Sequence, residues 1–105
     1  MRRGEVWWAE VAGDAGFRPV VIVCRSTGLD RRANVIVAEV TRVVRDLPCE
    51  VPLHVADGMP IDCVVNTDNL HTIPKDRLRE RITVIPEDRL FALAQALRHS
   101  LDLDW

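Results

Sequence analysis

Apolar positions along this chain follow two periods, alternation or short continuous runs up to Ile85 and a helical repeat only after it. Glu5 to Val11 reads as a first strand. Val20-Val21-Ile22-Val23-Cys24 is β-branched and too short for a helix, so Arg18 to Cys24 predicts a second strand buried on both faces. Gly13-Asp14-Ala15-Gly16 supplies the turn between them. Pro19 is tolerated near a strand start, where no ladder hydrogen bond is needed. After a polar loop from Arg25 to Asn34, Val35 to Thr41 begins as a two-sided apolar strand and ends in alternation. Val51, Leu53 and Val55 then alternate with Glu50, Pro52 and His54, a half-exposed strand that Pro52 places at a sheet edge.

Asp57-Gly58 marks another turn. Cys63-Val64-Val65-Asn66 predicts a short buried strand that stops at Thr67-Asp68-Asn69, with Leu70 to Ile73 as a candidate continuation. Pro74 to Leu78 reads as a helical turn, and Arg81 to Ile85 as a last strand. From Pro86 to about Leu101 the repeat becomes helical: Leu90, Leu93, Ala94, Leu97 and Leu101 share a face, with Phe91 beside it. Proline at the first helical position, Glu87 and Asp88 in the first turn and Arg98 and His99 in the last complement the helix dipole. Short strands followed by one amphipathic helix predict a mainly β architecture with α, a small, strongly bent sheet or barrel carrying the helix against it.

With 105 residues, 48% of them hydrophobic, the chain suits one domain spanning 1–105. No window approaches the roughly 20 apolar residues of a membrane span, and no apolar signal core follows Met1-Arg2-Arg3, so the expected compartment is the cytoplasm. Trp7 and Trp8 point to opposite faces of their strand, and a domain this small has little room for both, which suggests a homodimer interface for one. Cys24, Cys49 and Cys63 show no CxxC pairing and read as reduced thiols, Cys24 in the core.

The net charge of −2 argues against a general nucleic-acid coat. Arginines nevertheless lean towards the front half, and any contact with a polyanion would come from a local patch. No histidine or carboxylate spacing suits a metal ion, and neither a glycine-rich phosphate loop nor a GxSxG elbow is present. Neither cofactor nor metal is expected. The candidate chemistry lies at strand ends: Arg18 entering the second strand, Thr41 leaving the third, and Asn66, Thr67 and Asp68 leaving the Cys63 strand.

Arg18 is a permanent charge fastened to a buried strand. It pairs structurally with Glu39 or Asp68, or it is aimed at an anion. Thr41 and Asp68-Asn69 also have ordinary roles, in a strand and a turn. His71 is a surface strand residue or a base, and His54 and His99 read as surface positions. Together such groups suit RNA cleavage through the 2′-hydroxyl, which needs a proton acceptor, a cation over the phosphorane and a donor for the 5′-oxygen.

Arg3-Gly4-Glu5-Val6-Trp7, Arg18-Pro19-Val20-Val21-Ile22-Val23, Val35-Ile36-Val37-Ala38-Glu39-Val40-Thr41 and Val65-Asn66-Thr67-Asp68-Asn69-Leu70-His71 with its continuation to Leu78 resemble, in order and spacing, the MazF/PemK family of toxin endoribonucleases. The resemblance runs from Arg3 to about Leu103. It implies a compact SH3-like β-barrel (MazF/CcdB/Kid-like) with a C-terminal helix and a homodimer. It also implies metal-independent cleavage of single-stranded RNA to a 2′,3′-cyclic phosphate and a 5′-hydroxyl. The family's key arginine and threonine fall on Arg18 and Thr41. The carboxylate that serves as base in some members falls on Asp68, although its accompanying arginine is Asn66 here.

A MazE-like antitoxin, whose acidic, disordered tail lies in the RNA groove, is the implied partner. Arg25, Arg31, Arg32, Arg42 and Arg45, in segments expected to flank the site, are candidates to follow an RNA backbone, with Asn66, Asn69 and His71 as further RNA contacts. Two alternatives remain at this point. One is a non-enzymatic gyrase-poisoning toxin of similar fold, for which Trp105 at the terminus is the pointer, and the other is an SH3-like interaction module.

Overall fold

The computed structural model describes residues 1–11 and 16–103. Six strands, β1 (Glu5–Ala9), β2 (Arg18–Ile22), β3 (Asn34–Thr41), β4 (Glu50–Leu53), β5 (Cys63–Pro74) and β6 (Leu78–Val84), precede one helix, α1 (Glu87–Ser100). The strands form a single antiparallel sheet in the order β4-β5-β3-β2-β1-β6. The mainly β architecture with a terminal helix is as expected. The sheet, however, is not a closed barrel: β4 and β6 are its two edges, and no ladder joins them among the described residues.

The uninterrupted apolar runs in β2 and β3 have the predicted consequence, a sheet buried on both faces. On one face Val6, Val21, Ala38, Val40, Val65 and Leu93 belong to a core shared with α1. On the other, Ala9, Val20, Ile22, Val35 and Val37 pack with Leu29 from the β2–β3 connection and with Leu78. The loop that supplies Leu29 is pinned by Lys75, whose Nζ donates to the Leu29 carbonyl. Pro52 sits exposed in β4, which pairs only with β5, as its missing donor requires.

β5 departs from the expected break at Thr67. It runs through to Pro74, but Ala38 pairs with Leu70 and Glu39 with Asn66, so Thr67, Asp68 and Asn69 are extra residues without a β3 partner. Their ladder bonds are replaced from elsewhere. The Thr67 N–H and hydroxyl both donate to the Cys49 carbonyl, at 2.9 and 2.8 Å, and the Asp68 N–H donates to Asn66 Oδ1 at 3.0 Å. The predicted helical turn after Pro74 is a single 3-10 turn, Lys75–Arg77. Of the expected turn at 13–16, Gly13, Asp14 and Ala15 lie outside the described residues.

The helix starts one residue later than its sequence suggests. Pro86 is extended at φ −70°, ψ 163°, and caps α1 from outside, its carbonyl accepting the N–H groups of Arg89 and Leu90. Leu93, Ala96 and Leu97 are buried, whereas Leu101 lies beyond the last turn and is exposed, as is Phe91. Gly4 explains the Arg3-Gly4-Glu5 segment: it takes φ +92°, and a Cβ there would stand 2.7 Å from Leu90 Cδ2. Its N–H and carbonyl meanwhile bond Ile22 and Ile85, so the start of the chain ties β2 to the residue leading into α1.

All three cysteines are buried and free. Burial pushes the thiols of Cys49 and Cys63 upward, reinforced by Asp68 at Cys49 and by Asp62 and Asp57 at Cys63. A raised thiol is protonated and unreactive at neutral pH. Ellman's reagent at pH 7.5 is therefore expected to titrate essentially no thiol in the native protein over minutes and all three after denaturation; a prompt native reaction would contradict this burial.

Candidate active site

The register of the β2–β3 ladder assembles the site. Val20 pairs with Glu39, Val21 with Ala38 and Ile22 with Val37. Continued by two residues, that register sets Arg18 across from Thr41. Since side chains alternate along a strand, Arg18, Val20, Glu39 and Thr41 share one face. Arg18 and Thr41 accordingly line one cavity of about 590 Å³, whose walls include Trp8, Phe17, Arg42 and Ile61. Proline at position 19 and the buried run behind it hold the arginine's backbone at the entrance of a rigid strand.

Thr41 Oγ accepts the N–H of Val43 at 3.1 Å, which orients the hydroxyl and leaves it its own proton as a donor. Glu39 stands in the centre of the polar row. Arg18 Nη1 lies 3.8 Å from Glu39 Oε1, and His71 Nε2 lies 2.5 Å from Glu39 Oε2. The three groups come from β2, β3 and β5, and the offset pairing of Val37 with His71 and of Glu39 with Asn66 makes them diagonal neighbours. The structural pairing expected for Arg18 is thus present. So is its placement at a cleft.

The other candidates divide by location. Arg42 lines the cavity, and Arg45 is exposed in the segment that follows, its backbone N–H held at 3.0 Å by Glu50. Arg25, Arg31 and Arg32 lie at the opposite end of the sheet. The loop bearing them joins the end of β2 to the start of β3, whereas Arg18 and Thr41 occupy the start of β2 and the end of β3. At about 3.3 Å per extended residue, the chain from Arg18 to Cys24 spans roughly 20 Å. An antiparallel connection cannot flank both ends of the strands it joins, so of the two segments it is 42–48 that reaches the cleft, through Arg42 and Val43.

Asn66 is buried, with its amide oxygen committed to the Asp68 N–H, while Asn69 is exposed on the bulge. The Asp68 carboxylate is engaged at the helix end rather than in the lining of the Arg18–Thr41 cavity. Hydrogen bonds first from Ser100 and then from Cys49, with His99 nearby, hold it below the usual carboxylate range. Trp7 packs on the second core and donates from Nε1 to Glu5 Oε1 at 2.9 Å, so it is Trp8 that reaches the cleft. Sequence reasoning considered Glu39 only as a possible partner of Arg18 and missed its contact with His71. Its signal was a lone carboxylate within the otherwise apolar Val35–Val40 run.

A single antiparallel sheet with a C-terminal helix, carrying an arginine and a threonine across neighbouring strands at one cleft, defines a small β domain suited to gripping an anion. The chain belongs to the PemK-like, MazF-like toxin family of type II toxin–antitoxin systems, whose family model matches residues 2–101. It is 44% identical over 101 residues, 95% of this chain and 97% of the relative, to the probable endoribonuclease MazF2 of Mycobacterium tuberculosis H37Rv. Its fold superposes on the Mycobacterium tuberculosis toxin MazF-mt6 with a TM-score of 0.88 at 35% identity, covering 96% of this chain and 99% of the other. A mycobacterial endoribonuclease in complex with its cognate antitoxin gives a TM-score of 0.90 at 26% identity, covering 100% and 98% of the two chains. The gyrase-poisoning and interaction-module alternatives give way to this membership. Trp105, the pointer to the former, lies outside the described residues.

Proposed function

We propose that this toxin-family endoribonuclease cuts single-stranded RNA by attack of the 2′-hydroxyl on the adjacent phosphate, giving a 2′,3′-cyclic phosphate and a 5′-hydroxyl. The observation that carries the reading is the joint presence of Arg18 and Thr41 in one cleft. The guanidinium offers a fork of donors to the phosphate oxygens, and the threonine hydroxyl a further donor, both aimed at charge that grows in the phosphorane. This division of labour needs no metal ion. Arg42 lines the cleft and, with Arg45 in the exposed segment that follows, would lead the RNA backbone into it, with Asn69 and His71 further along β5; Asn66, buried and bonded to the Asp68 N–H, stands back from that path. Arg25, Arg31 and Arg32 would meet only an RNA that crosses the sheet. Asp68 has the weakest claim on the chemistry, because its carboxylate lies outside the cavity lining and is turned to Ser100 and Cys49.

Exposed apolar side chains near the cleft, Phe17, Val43, Val44 and Ile61, support assembly as a homodimer. They also support capture of an antitoxin segment in which apolar residues accompany acidic ones facing Arg18 and Arg42. Among the described residues no helix is long and apolar enough to cross a membrane. A cytoplasmic toxin acting on cellular transcripts is the reading consistent with its family.

The test is incubation of purified protein with single-stranded RNA in EDTA, followed by end-group mapping. Cleavage with cyclic-phosphate ends is expected, and intact RNA at high enzyme concentration would sink the reading. Thr41→Ala is expected to cut about tenfold more slowly, the effect of one lost hydrogen bond of roughly 1.4 kcal/mol, with an unchanged melting temperature. Wild-type rates in that variant would show that the phosphate binds elsewhere.

A further inference from the structure

The cluster around Glu39 does more than neutralise Arg18. Its carboxylate is only partly exposed, with its two oxygens directed to different partners, Oε1 to Arg18 and Oε2 to His71. An ionised carboxylate only accepts hydrogen bonds, so the short contact of 2.5 Å requires the proton to lie on the imidazole side, at Nε2. A neutral His71 with its proton on Nε2 has its lone pair on Nδ1. The carboxylate thereby selects the tautomer, fixes the ring plane and stands ready to stabilise an imidazolium. The same carboxylate holds Arg18, so one residue sets the spacing between a proton acceptor and a phosphate-binding cation. The side chain of His71 is 28% exposed, open enough to meet a substrate and buried enough to be held. Asp68, by contrast, is committed to Ser100 and Cys49.

We infer that His71 is the proton acceptor of the cleavage reaction and that Glu39 is the positioning residue that couples it to Arg18; this rests on the 2′-hydroxyl mechanism proposed above. In the step, Nδ1 of His71 takes the proton of the 2′-hydroxyl while the O2′–P bond forms. The P–O5′ bond breaks with its electron pair on O5′, which takes a proton from water. The imidazolium then returns its proton to solvent, so the enzyme is unchanged. Glu39 itself is a poor candidate for the base, since both its oxygens are already engaged. Of the three groups Arg18 lines the cavity, and Glu39 and His71 adjoin it through their contacts with that arginine's side of the sheet.

The test measures kcat and KM separately on a short single-stranded RNA that the wild-type protein cuts, with melting temperatures as a control for folding. Glu39→Gln and His71→Ala are each expected to lower kcat by roughly 10²-fold, within the usual range for a lost proton-transfer group, with KM changed less than about threefold. Added imidazole is expected to restore part of the rate to His71→Ala and none to Arg18→Ala. Independently of activity, the ¹⁵N-attached Nε2 proton of His71 is expected far downfield in the wild type and moved upfield in Glu39→Gln. A wild-type kcat in His71→Ala, a loss confined to KM, no response to imidazole, or an Nε2 signal indifferent to Glu39→Gln would each overturn the assignment while wild-type cleavage stands. Absence of cleavage by the wild type would instead remove the mechanism on which the assignment rests.

Discussion

Arg18→Ala is expected to lower the rate of RNA cleavage by roughly 10²–10³-fold, the usual cost of removing a pre-positioned donor from a developing oxyanion. The fold should survive. The Arg18 side chain is 53% exposed, and its 3.8 Å approach to Glu39 is an ion pair of the kind that contributes little to stability in water. Arg18→Lys is expected to recover only part of the loss, because an ammonium supplies charge without the planar fork that matches two phosphate oxygens. Initial rates on a fluorogenic RNA in EDTA, together with circular dichroism melts, measure both effects. A rate within threefold of wild type for Arg18→Ala would remove the arginine from the site, and a large fall in melting temperature would mark it as a structural residue.

Leu93→Ala should cause the largest loss of stability, about 2–5 kcal/mol, as expected for a buried leucine whose space cannot be refilled. Leu93 is fully buried in the core that α1 shares with β4 and β5. It is the one fully buried large side chain that the helix contributes. For a domain near 100 residues, each kcal/mol moves the melting temperature by about 4–8 °C, so a fall of roughly 10 °C or more should be seen. Phe91→Ala, two residues earlier and 68% exposed, is the control and should shift stability by less than about 0.5 kcal/mol. Equal effects in the two variants would mean that the helix packs in another rotation.

Local pattern was enough to read most elements, because burial on one or two faces leaves its period in the chain. Both central strands and the helix followed this rule, as did the edge strand marked by Pro52 as far as Leu53, beyond which Val55 is exposed in a 3-10 turn. The exceptions have identifiable causes. Thr67-Asp68-Asn69 looks like a strand end, since turn-forming residues interrupt the apolar run. The strand continues because Cys49, distant in sequence, takes the hydrogen bonds of Thr67 that β3 does not. Leu101 fits the helical face by spacing, yet the helix stops at Ser100 and leaves it in solvent.

The site divides in the same way. Arg18 and Thr41 were legible as strand-end polar groups and through the family resemblance, and the ladder register then placed them on one cleft. The loop arginines 25, 31 and 32 were expected beside them, but sequence order carries no information about which end of a hairpin a loop occupies until the strand pairing is known. Glu39 drew notice only as a possible partner for Arg18.

By itself the sequence determined what depends on neighbours along the chain: the alternation that makes strands, the repeat that makes α1, and an arginine bound to a buried run. Tertiary structure alone decided which of those residues meet. Register between strands far apart in sequence brought Glu39 between Arg18 and His71, tied Asp68 to the helix end and left the sheet open at β4 and β6. The reason is physical: secondary structure follows from local burial and hydrogen bonding, whereas a site is a set of distances between strands, fixed only when the whole sheet has paired.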